Sequence, residues 1–432
     1  MQSSQSSSLP SKIKWLVILC RIAVGVTFIV SGLAKSIDPW GFLYKTLEYL
    51  DVWGLDLPRS LVLVGTMFLS AGEFTAGFMA LLGCYRRAVS WLLLATMVFM
   101  LPLTLYIMIA DPVSDCGCFG DFLVISNTAT FLKNVVLTAA IVVMVIYNHR
   151  VKCLVSPYIQ WLPAVACGIY ALLIGVTGYN EQPLIDFRGF PVGSPLSVDN
   201  PSGSGTEFSF VYEKNGTQRE FTIDALPDST WTFVERRIKT GTAEAAHDPL
   251  AIYDGSDDVT ADVIDTEGEQ LLVLIPDLRY ADMSSTYTIN ELNRYMEARG
   301  GSMIGIIGSD IQGLELWREI AMPEYALFTA EPTQIKELAR GNVSIVYIDN
   351  DTVRWKQTMS ALSGLKVPQP GSDRNILPGL DPQPAKKFWY LTGLFLALMA
   401  LIVGINNGVL AVWKKITKFA HRKRQRTQAI ND

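Results

Sequence analysis

Apolar residues gather into six long runs, at positions 15–34, 61–83, 88–110, 128–147, 159–178 and 388–413. A helix needs about 20 apolar residues to cross ~30 Å of hydrocarbon, so each run predicts a transmembrane helix. Pro102 and Pro163 lie inside two of them, which membrane helices tolerate where neighbours satisfy the freed carbonyls. Between the fifth and sixth runs the pattern shortens. Alternating positions at 207–212 and 218–223 flank Asn215-Gly216 and predict a tight hairpin. Further on, strands are expected at 271–275, 303–307, 325–328, 344–348 and 352–355, with helices at 284–299, 312–319 and 332–338. That alternation predicts a partly parallel sheet covered by helices, made mixed by the closing hairpin.

Three stretches fit neither pattern. Residues 1–14 open Ser/Gln-rich and read as a disordered N-terminus. Residues 185–265 read as a β-rich segment preceding an α/β domain over 266–360. Residues 367–386 hold Pro368, Pro370, Pro378, Pro382 and Pro384 and read as a stiff linker returning the chain to the last span.

Charge separates the two kinds of pattern. Of the 432 residues, those from 185 to 385 carry 16 Lys and Arg against 31 Asp and Glu. The remainder carries 20 against 10, for a net −5 overall. An acidic domain is thus joined to an apolar part with basic edges, which excludes a simple cytosolic globule. Nucleic acid is excluded as the main partner, because no basic face reaches the required size. The basic clusters are Lys12/Lys14, Arg86/Arg87, Arg150/Lys152 and a 414–432 tail. All fall on one side if every run spans, which predicts cytoplasmic termini and an extracytoplasmic acidic domain, in a bacterial inner membrane. The 15–34 run reads as an uncleaved first helix rather than a signal peptide.

That topology sorts the six cysteines. Cys20 and Cys167 fall within spans, Cys84 and Cys153 at the cytoplasmic edge, and Cys116 and Cys118 in the outward loop Asp115-Cys-Gly-Cys-Phe-Gly-Asp121. The acidic domain has no cysteine. Residues two apart can form a disulfide only in a turn, and Gly117 supplies the backbone freedom. Such a strained, exposed bridge suits thiol–disulfide exchange. Lys133, at the outer end of the fourth span, would support a thiolate, against Asp115 and Asp121. An inert local bridge and a half-filled zinc site are the other readings.

Arg21, Lys35 and Glu73 are the intramembrane polar candidates. An Arg21–Glu73 pair suits two antiparallel helices, either as an interhelical clamp or as a proton or ligand site. Gly25, Gly32, Gly65, Gly72 and Gly77 predict close packing of the first two spans. Trp15, Trp40, Trp53, Trp91, Trp161, Trp389 and Trp413 read as interfacial anchors. His247 with Asp254, Asp257 and Asp258 reads as a solvated acidic loop rather than a cation site.

Three runs carry a family resemblance: Phe28-Ile-Val-Ser-Gly-Leu-Ala-Lys-Ser-Ile-Asp-Pro39, Gly72-Glu-Phe-Thr-Ala-Gly-Phe-Met-Ala-Leu-Leu-Gly83 and the Cys116/Cys118 loop, followed by Thr130-Phe-Leu-Lys-Asn134. Over about 14–150 the chain resembles the DoxX-like family and its MauE-like branch. The resemblance implies an α-helical membrane protein with a four-helix bundle, here with two further transmembrane helices. It also implies a role in maturing a disulfide-rich periplasmic partner through Cys116 and Cys118. The strand order over 266–359 is similar to a thioredoxin-like domain, here without its Cys-x-x-Cys and suited to binding a partner along a sheet edge. Because Cys116 and Cys118 form the single outward cysteine pair, a partner dithiol protein or a membrane quinone must complete any redox cycle. A non-enzymatic scaffold whose cysteines only staple a loop is the alternative.

Overall fold

The computed structural model describes residues 10–110, 117, 119–123, 125–148, 153–196, 207–214, 217–221, 232–240, 250–308, 311–372 and 374–431. They form two compact units, one of Met1–Phe187 with Gln383–Asp432, the other of Arg188–Pro382.

The first unit is helical: α1 (Ser11–Ile37), α2 (Pro39–Val52), α3 (Arg59–Leu82), α4 (Arg86–Ala110), α5 (Asn127–Tyr147), α6 (Trp161–Asn180) and, from the end of the chain, α11 (Pro384–Asn431). Among the described residues, six helices are long and apolar enough to cross a membrane. α1 packs most extensively on α3, α4 on α5, and α11 on α6. A ring cluster of Phe74, Tyr170 and Phe395 sits where α3, α6 and α11 meet, with Tyr170 and Phe395 stacked at 4.3 Å.

The α1–α3 seam rests on three of the five predicted glycines. A Cβ at Gly32 would lie 2.4 Å from the Phe74 backbone nitrogen, and one at Gly77 would lie 2.7 Å from that of Ile29. Gly25 faces the Gly77 carbonyl. Gly65 and Gly72 face open space, so they take no part in the contact.

α2 is an element that hydropathy alone does not reveal. Asp38 ends α1 and caps α2 by accepting from the Gly41 amide at 2.9 Å, with Pro39 in the first turn, where its missing N–H is harmless. Trp40, expected as an anchor, is buried instead. It stacks on Tyr179 at 4.6 Å and donates its indole N–H to the Tyr179 carbonyl at 2.9 Å, tying α2 to α6. Trp15, Trp91, Trp161 and Trp389 are largely exposed, as anchors should be. The basic tail continues α11 rather than forming a separate segment.

The second unit holds two sheets. β1 (Glu207–Lys214), β2 (Thr217–Phe221) and β3 (Thr232–Thr240) pair antiparallel in the order β2-β1-β3. Lys214 pairs with Thr217 in the β1–β2 register, and the predicted turn residues Asn215 and Gly216 lie outside the described residues. The larger sheet contains β4 (Ile252–Asp254), β5 (Asp257–Asp258), β6 (Glu269–Ile275), β7 (Ser302–Ile307), β8 (Ala326–Ala330), β9 (Ser344–Asp349) and β10 (Thr352–Thr358). Their order is β10-β9-β6-β7-β8-β4-β5. β6, β7 and β8 are parallel, and β9 and β10 are antiparallel. Helices α7 (Thr260–Val263), α8 (Thr286–Ala298), α9 (Ile311–Ala321) and α10 (Pro332–Leu338) connect them. The apolar runs are strands buried on both faces, as parallel sheets require: Leu271 through Ile275 are all solvent-free.

Two boundaries shift. The expected β-rich segment over 185–265 is divided: β4 and β5 belong to the large sheet, and residues 193–196 line the outer edge of β10. There Gly193 donates to Val353 at 2.7 Å, Val353 to Ser194 at 2.9 Å and Leu196 to Asp351 at 2.8 Å. The proline-rich 367–386 stretch is more than a linker. Its Leu377 is fully buried in the sheet's core, and its carbonyl accepts the Trp355 indole N–H at 2.8 Å.

Candidate functional site

Chemistry-bearing side chains collect at both ends of the helical unit. At the end carrying the α4–α5 connection, the final turn of α1 delivers Lys35 to Glu73, mid-way along α3. The Lys35 ammonium donates to both carboxylate oxygens, at 2.9 and 2.8 Å, and the Ser31 hydroxyl donates to Oε2 at 2.8 Å. Their side chains are 5% and 10% exposed, so this is a buried, hydrogen-bonded ion pair. Lys35 also lies 4.9 Å above the Phe42 ring, which couples the pair to α2. A narrow crevice beside it is lined by Lys35, Ser36, Phe42, Thr66, Ser70 and Gly175.

The expected Arg21–Glu73 pair does not form. Arg21 lies at the other end, donating Nε to the Ala80 carbonyl and Nη2 to the Leu81 carbonyl, each at 3.0 Å. A guanidinium on the last carbonyls of a helix meets its negative dipole end, a favourable placement.

Of the predicted redox loop, Cys116, Cys118 and Asp115 lie outside the described residues. Its flanks are described. Gly117 and Gly120 both have left-handed φ, +63° and +54°, and the Gly120 amide donates to the Gly117 carbonyl at 3.1 Å. Glycine is the residue that takes this backbone without strain. Phe119 is buried, and the Lys133 ammonium sits 4.2 Å from its ring centre. Lys133 is thus held against Phe119. The short helical turn Gly120–Phe122 packs on α1 and α2.

The opposite end carries a grouping that the sequence does not bring together. α3 ends in a left-handed Gly83, with the Gly83 amide donating to Ala80 at 3.2 Å and the Cys84 amide to Met79 at 3.0 Å. A Cβ at Gly83 would fall 2.2 Å from an Arg21 nitrogen. The 153–156 segment docks on this turn through Leu154 N–H to the Leu82 carbonyl at 3.1 Å. From α11, Asn406 accepts from the Ser156 amide at 3.1 Å. Cys84 and Cys153 meet here, their sulfurs 3.6 Å apart. Gln160 joins both segments, accepting from the Tyr85 amide at 2.8 Å and donating to Cys153 Sγ at 3.7 Å. The available signal was positional: one cysteine directly follows α3, the other directly precedes the next span.

In the second unit, Asp254 and Asp257 face each other in the β4–β5 hairpin. Asp258 accepts from the Thr260 hydroxyl and amide, which hold its carboxyl below the usual carboxylate range. These acids shape a turn. Among the described residues no group of three or more His, Cys, Asp or Glu could hold a metal ion, and His247 lies outside them. The loop after β6 carries no thiol; the Asn342 side chain clamps it, donating to the Asp277 carbonyl at 2.6 Å and accepting its amide at 2.9 Å.

Residues 13–147, roughly a third of the chain, match the family model of the methylamine utilisation protein MauE. Residues 206–240, the three-stranded sheet, match a domain of unknown function, DUF8463. No curated protein and no solved structure matches the chain.

Proposed function

We propose that this MauE-like membrane protein is a thiol–disulfide component acting on extracytoplasmic partner proteins through Cys116 and Cys118. The observation carrying this reading is that the MauE match spans the 111–126 loop, in which Gly117 and Gly120 take left-handed φ and Phe119 lies against Lys133. In each cycle the two thiols would become one disulfide, passing two electrons and two protons to a client disulfide, or the reverse. A partner dithiol protein or a membrane quinone would restore them. The basic clusters support cytoplasmic termini in a bacterial inner membrane, with the acidic unit in the periplasm. The DoxX-like resemblance belongs to the same reading.

The strand order, with parallel β6 and β7 flanked by antiparallel β9 and β10, supports a thioredoxin-like 266–360 domain that has no thiol of its own. The Asp277–Asn342 clamp occupies the place where such a domain would carry its chemistry, which favours a client-holding role for this unit. A scaffold with purely structural cysteines is the second reading, favoured by the same clamp.

The deciding experiment is a Cys116→Ser/Cys118→Ser double variant in intact cells, with envelope proteins alkylated by a mass tag. The redox reading expects at least one envelope protein to change its thiol–disulfide state, and mixed disulfides to vanish from affinity capture. Unchanged redox states with unchanged captured partners would leave the scaffold.

A further inference from the structure

The Cys84–Cys153 contact goes beyond the loop just discussed and does not rest on it. Several elements converge to hold it: the turn after α3, the 153–156 segment, Gln160, and Asn406 from α11. The two sulfurs have unlike surroundings. Cys84 is fully buried; Cys153 is half-buried and reachable. Donors converge on Cys153, from the Val155 amide at 3.4 Å and the Gln160 amide at 3.7 Å, with the Cys84 thiol at 3.6 Å. The Arg21 and Arg86 guanidinium charges act on it as well. Protonated, the Cys153 thiol has the Leu82 carbonyl as acceptor at 3.6 Å.

We propose that Cys84 and Cys153 form a redox-active dithiol that exchanges with disulfides at the end of the bundle opposite the 111–126 loop, Cys153 attacking and Cys84 resolving. The Cys153 thiolate attacks one sulfur of a substrate disulfide, and the other leaves as a thiolate that takes up a proton. The Cys84 thiol then gives up its proton and attacks Cys153 Sγ. The Cys84–Cys153 bond forms, the mixed disulfide breaks, and the second substrate thiol departs. Two enzyme thiols are oxidised and one disulfide is reduced to two thiols, so protons and electrons balance. Closing the bridge brings the sulfurs from 3.6 Å to about 2.05 Å, a side-chain movement. The Cys84 S–H hydrogen bond, then the Val155 amide and the two arginines, draw the Cys153 thiol below the ordinary range; the same bond and burial push Cys84 up. That asymmetry is what an attacking and a resolving thiol need. On the orientation proposed above this end is cytoplasmic, so the exchange partner is a glutathione disulfide or a protein disulfide of the cytosolic dithiol class.

The test uses the full chain in detergent or native membranes, with Cys116→Ser/Cys118→Ser present so that the outer loop contributes nothing. After incubation with oxidised glutathione, peptide mass spectrometry is expected to find a Cys84–Cys153 cross-link that dithiothreitol reverses. Cys84→Ala should instead accumulate glutathione on Cys153, and Cys153→Ala should leave Cys84 unmodified. Iodoacetamide labelling of Cys153 at pH 7 should slow several-fold in Cys84→Ala, which removes the S–H donor that holds the Cys153 thiolate. If a variant fails to fold, the wild-type cross-link and its labelling-rate-against-pH curve decide alone. No cross-link under oxidising conditions, or silver(I) binding by the pair with no cross-link formed, would overturn the proposal. A labelling curve for Cys153 matching that of an ordinary thiol would do the same.

Discussion

Replacing Glu73 by Gln leaves the Lys35 ammonium 5% exposed and opposite a neutral amide. At 2.8 Å and an effective dielectric near 20, the attraction lost is about 6 kcal/mol. Much of that attraction only offsets the desolvation of both charges, so the net effect is smaller. Removing one partner of a buried pair costs about 3–5 kcal/mol because the other charge stays uncompensated. Glu73→Gln keeps the Ser31 hydrogen bond, so it should fall at the lower end, about 3 kcal/mol. Lys35→Met, which strands the carboxylate and also vacates the Phe42 ring, should sit at the upper end. The double variant Lys35→Met/Glu73→Met removes both charges and should cost less than either single change. Thermal or denaturant unfolding of the full chain in one fixed detergent gives all three values. The coupling from the cycle should exceed about 2 kcal/mol in favour of the pair. Additive costs, or singles within about 0.5 kcal/mol of wild type, would refute the clamp. Loss of function in Glu73→Gln with unchanged stability would identify a proton or ligand site instead.

Other positions give sharper contrasts. Gly32→Ala drives a methyl into the Phe74 backbone, so it should destabilise the α1–α3 seam, whereas Gly65→Ala, facing open space, should stabilise α3 by about 0.5–1 kcal/mol; detergent unfolding compares them. Leu377→Ala should cost about 2–5 kcal/mol although it lies in a proline-rich stretch, and a near-zero loss would return that stretch to being a linker. Burial, together with the Glu269 hydrogen bond and charge, raises the Tyr347 hydroxyl well above its usual range. A group raised on folding contributes stability that is intact below its unfolded value and lost above it. Stability of the full chain should therefore fall as pH climbs past about 10, and Tyr347→Phe should flatten that fall.

The α/β unit was legible because its signals are local. Leu271–Ile275 is an unbroken apolar run stopped by Pro276, and Asn215-Gly216 is the strongest short hairpin signal; the expected strands and helices fall within a few residues of where the sequence put them. The helical unit was legible as spans but not as contacts. Arg21 and Lys35 stand 14 residues apart, close to four turns, so they share nearly the same face of α1 but differ in depth by roughly 21 Å. Which of them meets Glu73 depends on how far α1 overhangs α3, and hydropathy does not report that offset. Asp38-Pro39 is a helix-start signal for α2, but α2 carries too short an apolar run to stand out as a span. Cys84 and Cys153 stand 69 residues apart, and only the docking of the 153–156 segment brings their sulfurs together.

The two margins of the large sheet differ in what they present. On one, residues 193–196 already take up backbone groups of β10; on the other, β5 is two exposed aspartates long. A chain adding its main chain at the first margin would meet residues 193–196 over Asp351–Val353.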